Sequence, residues 1–160
     1  MVQQTPLAAN LPYHAGPGNH EDFLDFVHYR KRIGAAMPLA EGAPSQGGSG
    51  IFHSVSVGLI HFAFVNSESY FTPQPHGLGL LREQRAWLEA DLAAVDRSVT
   101  PWVVIGLHQP FYCSPNDDAD ACHKPVHFNP PRDGYPGVGG GLEDLAYEYG
   151  VDLVFGAHGA

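Results

Sequence analysis

Charge is scarce in this chain of 160 residues: Asp, Glu, Lys and Arg make up 16%, against roughly 25% in ordinary soluble domains. Only eight residues are Lys or Arg, and the formal net charge is −9. Too few cations are present to line a nucleic-acid groove or to hold an anionic membrane surface. Long apolar runs are missing as well; none approaches the roughly 18 residues of a membrane-spanning helix. The opening residues, MVQQTPLAANLPYHAG, lack the basic n-region and the continuous apolar h-region of a signal peptide. No N-x-[ST] glycosylation acceptor occurs, since Asn66-Ser67-Glu68 fails at its third position.

Glycine (19) and proline (14), by contrast, make up about a fifth of the chain, above the usual share of roughly 12%. Such a composition predicts turns and long loops and argues against a helical bundle. The length fits one domain, and the 44% of apolar residues suffices for a sizeable core. Flexible loops are expected at 39–50 (LAEGAPSQGGSG) and across 112–141, which carries SPNDDADAC, the Pro130-Pro131 pair and PGVGGG.

The remaining segments alternate between two periods. Residues 21–33 place Phe23, Phe26, Val27 and Arg30 at helical spacing, with acids first and bases last. Ile51, His53, Val55 and Val57 alternate with small or polar residues, and the apolar run 59–65 follows, predicting a hairpin whose second strand is buried. Residues 80–95 form the clearest helix, with Leu81, Gln84, Trp87, Leu88 and Leu92 along one side. The run 102–107 (WVVIGL) reads as a core strand, 141–149 as a helix stopped by Gly150, and 151–155 (VDLVF) as another buried strand. Helices alternating with apolar strands favour an α/β sheet.

Ten histidines are the first pointer to chemistry. His108 ends the strand WVVIGL, His158 ends VDLVFGA, and His20 opens the first helix within GNHE. Ligands bind at the carboxyl ends of strands in α/β sheets, because the loops there converge over one edge. Imidazoles delivered to that edge, with amide or carboxylate oxygens, suit zinc, iron or manganese. Each of the three, taken singly, also reads as a hydrogen-bonded loop residue. His14, His28, His53, His61, His76, His123 and His127 have no comparable setting and read as surface or core residues.

Taken in order, GNHE (18–21), VVIGLHQPFYCS (103–114) and YGVDLVFGAH (149–158) resemble the blocks of calcineurin-like metallophosphoesterases. The match is closest to the animal-type purple acid phosphatases, and LAANLPYHAGPGNHE, HYRKRIGAAMP, EQRAWLEADL and GLEDLAYEYGVDL agree with it. The resemblance implies an α/β/β/α sandwich with mixed sheets, present in part. It implies hydrolysis of phosphate monoesters at a dinuclear centre, iron paired with zinc, manganese or iron, through a metal-bound hydroxide. Asn19, His108 and His158 match three ligands of the divalent ion. His20 matches the histidine that faces the substrate, hydrogen-bonding the phosphate or protonating the leaving alkoxide. Asn19 has a second reading, as the cap of the helix that follows. Cys113 and Cys122 match a YCS…C pattern whose pairing would close the loop between them. A Cys/His zinc site with His108 and His123 is the alternative, without a CxxC spacing. An oxidising setting, secreted or lysosomal, follows from the family and the cysteine pair.

The departures are as informative. The family's upstream aspartates and GD-x-x-Y block have no counterpart before Gly18, and the second histidine of the closing pair falls on Ala160. Three of the family's usual seven ligands are therefore present, and the substrate-facing histidines of plant-type relatives would fall near Asp117 and Asp118. The expectation is that residues 1–160 are the central part of a catalytic domain, cut at both ends and inactive alone. The alternative is a truncated product or pseudoenzyme serving as a non-catalytic metal-binding or interaction module. A third reading keeps the fold with a phosphodiester or nucleotide substrate. The expected partner is a small phosphate ester, with neither nucleic acid nor membrane.

Overall fold

The computed structural model describes residues 14–33, 50–71, 73–112 and 129–158. Its elements run α1 (Phe23–Arg32), β1 (His53–Val57), β2 (Ile60–Phe64), α2 (Glu68–Phe71), α3 (Pro73–Ala93), β3 (Trp102–Gly106), α4 (Pro130–Asp133), α5 (Leu142–Glu148) and β4 (Leu153–Phe155). The four strands form one mixed sheet in the order β1-β2-β3-β4. The β1-β2 hairpin is antiparallel, turning at Gly58 (φ 59°), while β2-β3 and β3-β4 are parallel. Each parallel step needs a helical crossover, which α3 and α5 supply. The mixed α/β class is as the alternating pattern implied, and the described residues make up one mixed sheet of it.

Strand alternation decides which face the helices cover. Ala63, Val103 and Ile105 point to one face, where they form a single core with Leu81, Leu88 and Leu92 of α3 and Leu142, Leu145 and Ala146 of α5. The α3 stripe is the one its spacing predicted, with Gln84 buried in the same row. Each of these leucines contributes about 1.5–3 kcal/mol by leaving water. A smaller cluster, Phe26, Tyr29, Ile51 and Phe52, docks α1 against the start of β1, with the Phe52 and Trp87 rings 5.0 Å apart.

A polar network is buried on the helix-covered face near the hairpin turn. His61 Nε2–H donates to Asp91 Oδ2 at 2.9 Å, and its Nδ1 meets the Ser56 hydroxyl at 2.9 Å. The Ser54 hydroxyl donates to the other Asp91 oxygen at 2.6 Å. Asp91 thus pins α3 to both strands of the hairpin. His61 is a core residue, as read; Asp91, sitting in a helix whose apolar stripe drew attention, was not foreseen.

Several expectations need correction. Strand β4 is not buried: Leu153, Val154 and Phe155 are all exposed, because β4 is the sheet edge and two of the three project from the face opposite α3 and α5. Strand β2, interior to the sheet, is only half-buried: His61 and Ala63 on the helix-covered face are enclosed, while Ile60, Phe62 and Phe64 on the other face are partly open. Helix α1 does not carry Phe23 inward: Leu24, Asp25 and Phe26 have left-handed backbone (φ 49–60°), which breaks the helical register and leaves Phe23 exposed. Helix α3 begins at Pro73, earlier than the pattern suggested, proline being tolerated in a first turn. The Pro130-Pro131 pair lies in a short helix, capped by the Asn129 side chain, which accepts the Arg132 N–H. Helix α5 ends before Gly150 (φ 61°), as predicted.

Candidate metal centre

The parallel register of β3 and β4 determines which loop residues meet. Gly106 pairs with Phe155, and the ladder continues past both strands: Leu107 N–H donates to Phe155 O, then Ala157 and His158 N–H both donate to His108 O at 3.0 and 2.8 Å. Gly156 makes this crossing possible, since a Cβ there would lie 2.5 Å from Pro110. Two histidines 50 positions apart are thereby brought edge to face, their ring centroids 4.9 Å apart.

The third arm comes from the segment before α1. Residues 18–21 form a tight turn in which Glu21 N–H donates to Gly18 O at 3.0 Å and Glu21 Oε2 accepts Gly18 N–H at 2.9 Å. The segment is anchored where the Tyr29 hydroxyl donates to Ala15 O, and where His14 stacks on His53 and Phe64. Gly18 lies against the His108 ring, where a Cβ would sit 3.2 Å from three ring atoms. The turn carries Asn19 to His108, whose Nε2–H donates to Asn19 Oδ1 at 3.0 Å. Helix α1 instead has Asp22 at its N-cap, with no side-chain cap bond. Asn19 therefore faces the imidazole pair and does not cap the helix.

The electrostatics suit neutral donors. Burial holds His108 below its usual pKa, the neighbouring His158 and His20 act in the same direction, and Glu21 opposes them. His158 Nδ1 is buried with no hydrogen-bond partner. An amide oxygen and two imidazoles, one with an orphaned nitrogen, fit a divalent ion that accepts mixed N and O ligands. Among the described residues no three His, Cys, Asp or Glu side chains gather at one point. His20 and Asn19 are exposed on the turn, open to a substrate from solvent. A cleft of about 360 Å³ adjoins the loops carrying His108 and His158, lined by Pro110, Tyr112, Tyr147, Val154 and Gly156 among others.

Asn19, His20, His108 and His158, dispersed over 140 positions, are thus collected at one edge of the sheet. Cys113 and Cys122 lie outside the described residues, as do His123, Asp117, Asp118 and Ala160. His53, read as a surface or core residue, is fully buried; its Nε2 lies 3.3 Å from His14 Nδ1, a pairing not foreseen, and its pKa is lowered to about 4, first by burial and then by His14. Glu68, noted in the sequence only as the residue that spoils a glycosylation motif, is buried next to the residue that follows His108. The signal for it was present: four polar residues, Asn66 to Ser69, directly after an apolar strand.

Comparison with known proteins identifies the family. The family model described as calcineurin-like phosphoesterase matches residues 2–159. Human acid phosphatase type 7 is 39% identical over 155 residues, covering 96% of this chain and 32% of that protein. The zebrafish (Danio rerio) acid phosphatase type 7 is 37% identical over 162 residues, covering 99% of this chain and 34% of its own. Purple acid phosphatase 23 of Arabidopsis thaliana is 32% identical over 158 residues, covering 96% and 29%. A solved purple acid phosphatase from yellow lupin seeds overlaps 72% of this chain and 18% of its own, at 20% identity and a TM-score of 0.48. The chain spans about a third of the length of the curated relatives it matches. No helix among the described residues is long and apolar enough to cross a membrane. By the extent of the family match and by these identities, the chain belongs to the calcineurin-like phosphoesterases.

Proposed function

We propose that this chain supplies one metal half-site of an acid-phosphatase-type metallophosphoesterase acting on small phosphate monoesters. One observation carries the reading: His108 Nε2 and Asn19 Oδ1 lie 3.0 Å apart, with the His158 ring against His108 and its Nδ1 buried without a partner. Asn19 Oδ1 and the imidazoles of His108 and His158 would hold a divalent ion. Such an ion supplies Lewis acidity toward a phosphate oxygen and a water activated near neutral pH. The chain's own residues do the rest. The stapled β3 and β4 ends hold the two rings, and the burial that lowers the His108 pKa favours the neutral imidazole that a metal takes. His20, exposed beside Asn19, would donate a hydrogen bond to a phosphate oxygen or a proton to the departing alkoxide.

Family membership supports a two-metal centre, and the three donors account for one ion of it. We therefore read the 160-residue chain as the central part of a catalytic domain that turns over little alone. An extracytoplasmic setting rests on the family and on the Cys113 and Cys122 pair. The test is a zinc titration by calorimetry, with hydrolysis of an aryl phosphate at acidic pH measured in parallel. One ion per chain, lost in His108→Ala and His158→Ala, with negligible turnover, is the expected result. Binding indifferent to both substitutions would remove the half-site. Appreciable turnover abolished by His20→Ala would show the chain to be a competent enzyme.

A further inference from the structure

Among the described residues Glu68 is a buried carboxyl that neither the half-site nor the Asp91 network uses. Glu68 opens α2 and is 4% exposed, and a carboxyl is seldom so enclosed without partners. It belongs to the run Asn66-Ser67-Glu68-Ser69, which follows β2 on the same edge of the sheet as His108. This run is held firmly. Asn66 N–H donates to Gln84 Oε1 at 2.7 Å, and Gln84 Nε2 donates back to Asn66 O at 3.0 Å. Asn66 Oδ1 accepts the Glu68 and Ser69 N–H groups at 2.9 and 3.3 Å. All four side chains are buried, so the turn is a fixed polar platform tied to α3.

The platform grips the residue that follows His108. Gln109 N–H donates to Ser67 Oγ at 2.8 Å, and Ser67 Oγ lies 3.3 Å from Glu68 Oε1, to which its hydroxyl donates. The Gln109 side-chain amide hydrogen-bonds the Glu68 carboxyl. The charges of Asp22 and Glu21, in and after the turn that carries Asn19, act on the Glu68 carboxyl through space. Burial first, and those two acids after it, push its carboxyl up to about 6. His108 is consequently held from both sides. Its own carbonyl accepts the Ala157 and His158 N–H groups, and its successor is bound to Ser67 and Glu68.

We propose that Glu68 is a positioning residue for the His108 ligand, acting through Gln109: with Ser67 it engages both the backbone and the side chain of the residue that follows the imidazole. This inference rests on the reading of Asn19, His108 and His158 as a metal half-site. Outer partners that orient a ligand are worth 10–100-fold in metal affinity, and a site held 1 Å too loosely loses much of its function.

Cobalt(II) is the probe, titrated into the full 160-residue chain while its d–d absorption bands and thermal unfolding are followed. In Glu68→Ala the Co(II) Kd rises about tenfold or more and the bands shift. In Glu68→Gln, whose amide oxygen still accepts from Gln109 and Ser67, most of the affinity returns. Gln109→Ala removes the grip from the other side and weakens Co(II) comparably, which decides the matter if Glu68→Ala fails to fold. A lowered Tm with unchanged Kd and bands in folded Glu68→Ala, or an unchanged Kd in Gln109→Ala, overturns the positioning role. Wild-type bands that persist in His108→Ala overturn the half-site itself, and this inference with it.

Discussion

His61 and His108 belong to the two ends of one parallel strand pair, and their surroundings differ in kind. At the hairpin end, His61 and Asp91 are sealed beneath α3, and both His61 ring nitrogens and both Asp91 oxygens have partners. At the carboxyl end, His108 has a single amide oxygen on Nε2, and His158 has a buried nitrogen facing no partner. The first cluster is closed and holds elements together. The second is open, and its residues come from a turn and two loops held in register by backbone pairing, by close-packed glycines and by the Ser67–Glu68 grip on Gln109. Completeness of pairing separates the two roles where residue type does not, since both clusters are built on histidine.

The largest effect that would break this contrast is at Asp91. Asp91→Ala leaves His61 Nε2 and the Ser54 hydroxyl buried without partners, and such a loss costs about 3–5 kcal/mol. Urea unfolding should show that drop, while zinc affinity measured on the folded protein stays unchanged. A drop in affinity with intact stability would assign the closed cluster to the site.

The His14–His53 pair gives the next effect, through pH. His53 has a pKa of about 4 in the folded chain against 6.5 for the free side chain. Between those values the unfolded chain binds more protons, so the stability tied to neutral His53 is full above about pH 6.5 and is lost as pH falls toward 4. The difference amounts to roughly 3 kcal/mol at most. Glu68, raised to about 6, works in the opposite sense, losing stability as pH rises through its folded value. His53→Phe should therefore flatten the acid side of the stability profile measured by urea at pH 7 and pH 4.5. An unaltered slope would show that His53 is not buried in its neutral form.

At the open cluster, His108→Ala should weaken zinc by about a hundredfold or more, beyond the range of an outer partner, with a change of stability below about 1 kcal/mol. Calorimetry and thermal unfolding on one preparation separate the two. The smallest effect expected is at Gly18, where a methyl group would sit 3.2 Å from the His108 ring. Gly18→Ala should displace that ring by a few tenths of an ångström, costing about 1 kcal/mol of stability and a severalfold loss of zinc affinity. Equal affinities would mean that the 18–21 turn yields more readily than the ring.

Much of this arrangement was legible in the chain. The alternation of Ile51 to Val57, the stripe of α3 and the glycine after α5 are local signals, and local energetics settle them. The positions of His108 and His158 after apolar strands, together with the ordered motif blocks, pointed to one sheet edge. Burial was less legible, because it depends on what covers a face. The apolar run 151–155 reads as core, yet it forms the open edge of the sheet. Asp91 and Glu68 were hidden for another reason: a buried acid is recognised by the partners that satisfy it, and Ser54, His61 and Gln109 are distant in sequence. The left-handed residues at the start of α1 similarly break a helical period that the side chains alone would carry on.

Histidine-selective NMR of the chain, recorded as zinc is added, tests the contrast most directly. The account predicts that the ring resonances of His108 and His158 shift together and saturate at one ion per chain. Those of His61 and His53 should stay in place. Shifts at His61, or none at His108 and His158, would contradict the assignment of the open cluster as the metal site.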